Sequence, residues 1–413
     1  VIRQIEGAHA VAEAVASCRP DLVSGCRTAP GAPIIGALRA KVRGGTLGRC
    51  EAVAAVSEAA AIAAALRGAG AGARTYTAVT SQSLLPSSEV VFNAAGLGLP
   101  IVMTAVNQPA ATPVSTWHDH SDAMSQRDSG WVQLHAQTCQ EAADLHIQAF
   151  RIAEELSVPV MVCVDGALLA EPAAPAGPAF QDQVDAFLPA RRAPLAAGPV
   201  SPGVAGSPEA LTEVRYLTHA RQLRALGLIP GVADEFRVAF GRGSSGLVQP
   251  YRMEGARTIV VALGSALAAI KEAVDGLRSH GVRIGILGIT SYRPFPLRAV
   301  RQHLAGARHL VVIERTLAPG IGGILASDIQ SALRDAPVPV STVIAGLGGR
   351  PISVASLREA LADADGGALE PVTFLGLNTT LVERELHRSH PVPGMVPGPV
   401  RRAPDPRLSL AGI

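Results

Sequence analysis

Aromatic side chains are scarce in this 413-residue chain: they make up 3% of it, and only two are tryptophans. The core is therefore expected to be aliphatic and rich in alanine, within a composition that is 48% hydrophobic. Excess charge is also missing. The formal net charge of +2 gives no electrostatic case for nucleic acid or a membrane surface. The five cysteines (Cys18, Cys26, Cys50, Cys139, Cys163) are scattered without a CxxC pair. That pattern suits a reduced, intracellular protein with no zinc or iron–sulfur site of its own. No apolar run reaches the roughly 18 residues of a membrane span. The start lacks a secretory pattern, because structure is expected within the first ten residues. Cytoplasm is the expected location.

Strand-like and helical segments alternate. Helices are expected at Ala8–Ala16, Pro33–Ala40 and Ser88–Ala95, and strands at Asp21–Ser24, Ala73–Thr80, Leu99–Val106 and Val158–Asp165. Leu134–Leu156 reads as two further helices. Strands separated by helices imply a parallel sheet covered on both faces. Residues 168 to about 208 form a Pro-, Ala- and Gly-rich connection before a helix at Glu213–Leu226. A second α/β unit follows, with strands Thr258–Gly264, Val282–Leu287, Leu310–Ile313 and Val340–Ala345 and helices Ala266–Ser279, Leu297–Leu304 and Val354–Leu361. Within it, Gly320-Ile-Gly-Gly323 reads as a strand-to-helix turn that allows either a phosphate cradle or close helix packing. From about His390 an extended, Pro- and Arg-rich arm is expected.

Three stretches concentrate chemistry. Ala55-Val-Ser-Glu-Ala-Ala-Ala61 opens a helix expected to run to about Leu66, with Ser57 as N-cap and eight uncharged residues after Glu58. Glu58 is either a charge matched to the helix dipole or a buried catalytic carboxyl in an apolar wall. Cys26-Arg-Thr-Ala-Pro30 follows a predicted strand end, where parallel sheets gather ligands. Thr28 there is a ligand hydroxyl or an ordinary turn threonine. Trp117-His-Asp-His-Ser-Asp-Ala-Met-Ser-Gln-Arg-Asp-Ser-Gly-Trp131 holds His118, Asp119, His120 and Asp122, a set that suggests a metal site. In an extended segment these residues point alternately to opposite sides, so a polar loop shaping a cleft is the favoured reading.

Together with Glu6-Gly-Ala-His-Ala-Val, Thr80-Ser-Gln, Ser291-Tyr-Arg-Pro-Phe-Pro296, Ile344-Ala-Gly-Leu-Gly-Gly-Arg350, Asp185–Pro189 and Arg215-Tyr-Leu217, these motifs occur in a familiar order and spacing. The chain resembles the alpha subunit of the 2-oxoacid:ferredoxin oxidoreductases, to about residue 376. The resemblance implies two parallel-sheet α/β domains: a thiamine-diphosphate-binding fold at 1–170, which takes the cofactor's pyrimidine, and a transketolase C-terminal-like domain at 251–365. A connection and helix at 171–250 would join them, with a C-terminal arm at 366–413.

By the same resemblance Glu58 contacts N1′ of thiamine diphosphate and, by sharing a proton with it, favours the imino tautomer. Thr28 reaches toward substrate and cofactor. Gln108 stands where the family has an arginine for the 2-oxoacid carboxylate, replacing a charged bidentate fork with one neutral amide. Arg27 is either its substitute or a plain surface residue. The chain lacks the Gly-Asp-Gly and downstream Asn with which thiamine enzymes hold magnesium and diphosphate. The resemblance therefore places the diphosphate and Mg site on a beta subunit. It places [4Fe-4S] clusters on gamma, delta or ferredoxin-like subunits of a hetero-oligomer built on a dimer. The implied activity is oxidative decarboxylation of a 2-oxoacid to an acyl-CoA, with electrons passed to ferredoxin or a related acceptor. The alternatives are a non-oxidative decarboxylase or carboligase subunit and a catalytically inactive scaffold.

Overall fold

The computed structural model describes residues 3–26, 32–109, 117–188, 208–243, 246–336 and 338–388. The chain divides into two compact units. The first comprises Val1–Gln249, Leu263–Ser265 and Ile289–Ala299, and the second comprises Pro250–Ala262, Ala266–Gly288 and Val300–Ile413.

The first unit is built on a seven-stranded sheet. In spatial order its strands are Ser291–Arg293, Val132–His135, Val160–Asp165, Ile101–Asn107, Thr75–Thr80, Leu22–Cys26 and Glu51–Ala55. All pairings are parallel except that of the edge strand Ser291–Arg293, which runs antiparallel to Val132–His135. The central strands are buried along their whole length, which is why Ile101–Val106 and Val160–Val164 read as largely apolar runs; in Thr75–Thr80 threonines are buried as well. One face packs on Gly7–Ser17, Ala32–Arg43, Cys139–Leu156 and the C-terminal half of Pro208–Phe240; the other packs on Glu58–Gly70 and Ser88–Gly96. A buried guanidinium ties the first face together: Arg74 donates to both Glu154 oxygens at 2.6 and 2.9 Å and to the Cys18 carbonyl at 2.6 Å.

The segment read as two helices, Leu134–Leu156, is instead the end of strand Val132–His135 followed by the single helix Cys139–Leu156. Its start carries a sequence signal, Thr138-x-x-Glu141. Thr138 Oγ1 accepts from Glu141 N at 3.1 Å, and the Glu141 carboxylate accepts from Gln137 N at 2.9 Å. The helix expected to stop at Leu226 continues through Pro230 to Phe240. Burial of Ile229, Val232, Phe236 and Phe240 in the core outweighs the cost of an interior proline. Within the expected connection, Ala174–Ala176 pairs antiparallel with Arg3–Ile5, and Gln181–Phe187 is a short helix whose Phe187 ring meets Phe236 and Phe240 edge-on. Strand Glu51–Ala55 was not foreseen: it is a short edge strand made mostly of alanine, which has little strand preference of its own.

The second unit holds five parallel strands in the order Val372–Phe374, Val340–Ile344, His309–Glu314, Thr258–Ala262 and Ile284–Ile289. Strand Val372–Phe374 and helix Thr379–Arg388 occupy residues expected to belong to an arm; backbone pairing of Val372 with Thr342 draws the first of them into the sheet. The extended arm expected from about His390 lies outside the described residues. The Gly320–Gly323 turn opens helix Ile324–Ala332, whose free amides are met by a side chain of the chain itself. Glu314 accepts from the backbone N–H groups of Ile324, Leu325 and Ala326 at 2.8, 2.9 and 3.1 Å and from the Thr316 hydroxyl at 2.8 Å. A Cβ on Gly323 would overlap the Glu314 carboxylate. The cradle is therefore closed by an internal anion, and the glycine serves close packing.

Candidate active site

After strand Leu22–Cys26 the chain crosses to Glu51–Ala55 on one side, then returns to place Thr75–Thr80 on the other. The order reverses between Leu22–Cys26 and Thr75–Thr80, and a crevice at the carboxyl ends of strands is expected at such a reversal. Glu58 sits there. Ser57 caps its helix, accepting from Ala60 N at 3.1 Å, as the sequence pattern predicts. Helical spacing then sets Glu58 on the same stripe as Ala61, Ile62, Ala65 and Ala69, all buried, and Ser24 holds this turn by donating to the Ala61 carbonyl at 2.8 Å. The carboxyl is consequently 4% exposed despite lying in the first turn of a helix.

Its two oxygens are unequal. Oε2 accepts from the Thr80 hydroxyl at 2.8 Å. Oε1 is buried with no hydrogen-bond partner among the described residues. A buried carboxylate oxygen left this way costs about 1–3 kcal/mol unless a ligand meets it, so the pair Glu58–Thr80 is arranged to receive a donor at one defined atom. Thr80 closes its strand and was noticed in the sequence only as part of a motif.

Gln108 follows the end of strand Ile101–Asn107 and is 2% exposed. Its backbone N–H donates to the Asp122 carboxylate at 3.0 Å, and the same carboxylate accepts from Ala123 N at 2.6 Å. Burial raises Asp122 well above the usual carboxylate range, against the pull of these two amides. Thr28 and Arg27 lie outside the described residues.

Three of the four residues that suggested a metal, Asp119, His120 and Asp122, are turned to separate tasks. Asp119 accepts from Ser121 N and Oγ at 3.0 and 2.6 Å. His120 Nε2 pairs with Asp165 at 2.8 Å, and Asp122 holds Gln108. Asp165 also accepts from Asn107 Nδ2 at 3.2 Å and from Ser265 N at 3.1 Å, with the Ser265 hydroxyl on the same oxygen. Gly264, at φ +70°, allows that approach; a Cβ there would stand 2.9 Å from the His120 ring. His135, which sequence reasoning did not single out, is buried with its ring centroid 5.5 Å from that of His120, and burial lowers its pKa to about 3.

The arrangement is thus a buried carboxyl with one open oxygen at the reversal of a parallel α/β sheet. Comparison with known proteins says whose arrangement it is. Residues 17–226 match the family model for the thiamine diphosphate-binding domain of pyruvate flavodoxin/ferredoxin oxidoreductase, and residues 256–357 match pyruvate:ferredoxin oxidoreductase core domain II. This chain belongs to the 2-oxoacid:ferredoxin oxidoreductases. Within them it is an alpha-type subunit. It is 36% identical to pyruvate synthase subunit PorA of Methanosarcina barkeri over 378 residues, 90% of this chain and 94% of that one. It is also 36% identical to PorA of Thermotoga maritima, covering 90% and 97% of the two chains. Ketoisovalerate oxidoreductase subunit VorA of Pyrococcus abyssi is 32% identical, covering 87% and 92%.

Two solved structures agree on fold. A 2-oxoglutarate:ferredoxin oxidoreductase from Magnetococcus marinus superposes with a TM-score of 0.66 at 17% identity, over 88% of this chain and 65% of that one. A split-gene transketolase gives 0.51 at 14% identity, over 88% and 99%. As an oxidoreductase alpha subunit, the chain is one component of a multi-subunit, thiamine-dependent enzyme. No helix among its described residues is long and apolar enough to cross a membrane.

Proposed function

We propose that this subunit supplies the pyrimidine half of a thiamine diphosphate site, with Glu58 as the catalytic carboxyl, in an enzyme that oxidatively decarboxylates a 2-oxoacid and forms an acyl-CoA. The observation that carries this reading is the open Oε1 of Glu58, buried beside an oxygen already held by Thr80. A ring nitrogen that shares a proton is the kind of group such an atom suits. When bound, thiamine diphosphate supplies the electron sink for decarboxylation. Glu58 holds and exchanges the proton at Oε1, and Thr80 fixes which oxygen does so. The apolar wall of Ala61, Ile62 and Ala65 keeps water from competing for it. Thr28 and Gln108 are assigned to substrate, with Arg27 as the residue that substitutes for a carboxylate-binding arginine.

The diphosphate and its Mg are assigned to a beta subunit, and [4Fe-4S] clusters to gamma, delta or ferredoxin-like subunits that deliver electrons to ferredoxin. Val56, 95% exposed immediately before the Ser57 cap, suits an edge that a companion chain covers. The deciding experiment compares purified wild-type and Glu58→Gln complexes for thiamine diphosphate content, visible iron–sulfur absorbance and 2-oxoacid-dependent ferredoxin reduction. The expected result is an assembled variant with its clusters present and turnover reduced by about a hundredfold or more. Undiminished turnover would remove Glu58 from the chemistry. Bound thiamine without iron–sulfur absorbance in the wild type would turn the reading to a non-oxidative carboligase.

A further inference from the structure

Three stretches that stand out in the sequence have no part in the Glu58 site, yet they meet at one place in the first unit. The end of Trp117–Trp131, the helix face that begins at Arg215, and Arg293-Pro-Phe295 together line a cleft of about 410 Å³. Each brings one arginine: Arg127, Arg215 and Arg293. The cleft adjoins Trp131, just before strand Val132–His135. It therefore lies at the amino-terminal end of the parallel strands, the opposite end of the sheet from Glu58.

Its construction follows from helical periodicity. Along Pro208–Phe240, residues 215, 218, 219, 222, 223 and 226 fall on one face and form one wall, which Gln222 fixes by donating to the Gly130 carbonyl at 2.6 Å. Trp131, fully buried and anchored by its indole N–H to the Val91 carbonyl at 2.8 Å, contributes to the lining. The apolar surface does not end inside the cleft: Leu223 is 53% exposed, Leu297 45%, and Leu211, three turns back on the same stripe, 60%. An apolar surface that spreads beyond a small cavity fits a protein segment better than a small molecule.

Charge narrows the occupant further. Three guanidiniums face a single lining carboxylate, Asp128, which pairs with Arg127 at 3.8 Å. Aromatic rings orient two of them: the Arg215 guanidinium lies 5.3 Å from the Phe92 ring centroid, and that of Arg293 lies 4.2 Å from Tyr292. The complement of this surface is acidic. Residues 189–207 of this chain carry two arginines and no acid, and residues 389–413 carry three arginines and one aspartate. Both segments are net basic, so neither complements it. A second copy placed symmetrically would set the same arginines against one another.

We propose that this cleft is a docking site for a companion subunit of the oxidoreductase complex, through a segment that presents an acidic side chain beside an apolar one. The inference rests on the chain's being one subunit of a larger enzyme and is independent of the role given to Glu58. The test places the photo-cross-linking residue p-benzoylphenylalanine at Leu223 in the complex as purified from its host. The expected product joins this chain to a different polypeptide of the complex, at a sequence containing Asp or Glu next to an apolar residue. Adding Arg215→Glu is expected to lower its yield about tenfold, whereas Arg215→Lys retains it.

A cross-link to a second copy of this chain, to its own 189–207, or to nothing in a complex with all subunits present would overturn the proposal. So would an organic anion released from the cleft in stoichiometric amount. Should Arg215→Glu fail to fold, the cross-link in the otherwise unaltered complex still decides. A complex that cross-links as expected but holds no thiamine diphosphate would sink the Glu58 reading alone.

Discussion

Thr80 donates its hydroxyl to Oε2 of Glu58 at 2.8 Å, and this one bond makes the two oxygens of a buried carboxylate chemically different. Oε1 is left buried without a hydrogen-bond partner among the described residues. Thr80→Val keeps the volume and removes the donor. Chemical denaturation of the variant is expected to show a loss of about 1–3 kcal/mol, the cost of an unsatisfied buried acceptor. Ferredoxin reduction should fall about tenfold, because Glu58 no longer has a fixed orientation. Combined with Glu58→Gln, the two losses should not add, since both act on one proton-sharing atom. Additive losses would separate Thr80 from Glu58.

Gln108 is buried at the end of a central strand, with its backbone N–H fixed by Asp122. Restoring a guanidinium with Gln108→Arg is expected to raise kcat/KM for pyruvate about tenfold relative to a bulky 2-oxoacid, since a charge-assisted bidentate pair replaces a neutral amide. An unchanged preference would move the carboxylate-binding role elsewhere, with Arg27→Ala as the next variant to assay.

Acid should unfold this protein through its buried histidines. Tyr76 donates to Thr104, Thr104 to His146 Nε2, and His146 Nδ1–H to the Ala142 carbonyl, so the ring is neutral in a satisfied network. Burial lowers the pKa of His146 from 6.5 to about 4 and that of His135 to about 3. Below pH 6.5 the unfolded chain binds these protons and the folded chain does not. Stability is therefore full above pH 6.5 and is lost as pH falls toward the folded values, by about 3 kcal/mol for His146 alone. Denaturation midpoints measured between pH 7 and pH 5 should show the fall, and His146→Gln should make it about half as steep, leaving the share of His135. A slope untouched by that change would assign the acid sensitivity to other groups.

Glu314→Ala strips the cap from helix Ile324–Ala332 and leaves three backbone amides and the Thr316 hydroxyl without their acceptor. The second unit should lose about 3 kcal/mol or more, visible as a lowered melting transition. If the melting temperature is unchanged, water satisfies those amides as well as the carboxylate does.

Much of this protein was legible before its structure. The strands at the centre of both sheets are rich in Val, Ile, Met, Ala and Thr, and they can be read because both faces are covered. Helix Glu58–Gly70 announced itself through the Ser57 cap, and the buried stripe that continues from Glu58 is written in its spacing. What escaped were elements whose identity depends on neighbours remote in sequence. Glu51–Ala55 and Ser291–Arg293 are edge strands whose pairing partners, not their composition, make them strands. The long helix passes Pro230 because Phe236 and Phe240 have a core to enter.

The sequence by itself determined an α/β chain of the 2-oxoacid:ferredoxin oxidoreductase family, since local propensity and motif order suffice for that. Tertiary structure alone decided that Thr80 leaves one Glu58 oxygen open, that Glu314 fills the glycine turn, and that three arginines from distant stretches face one cleft. Those are relations between side chains separated by many residues, and only packing brings them within hydrogen-bond or Coulomb range.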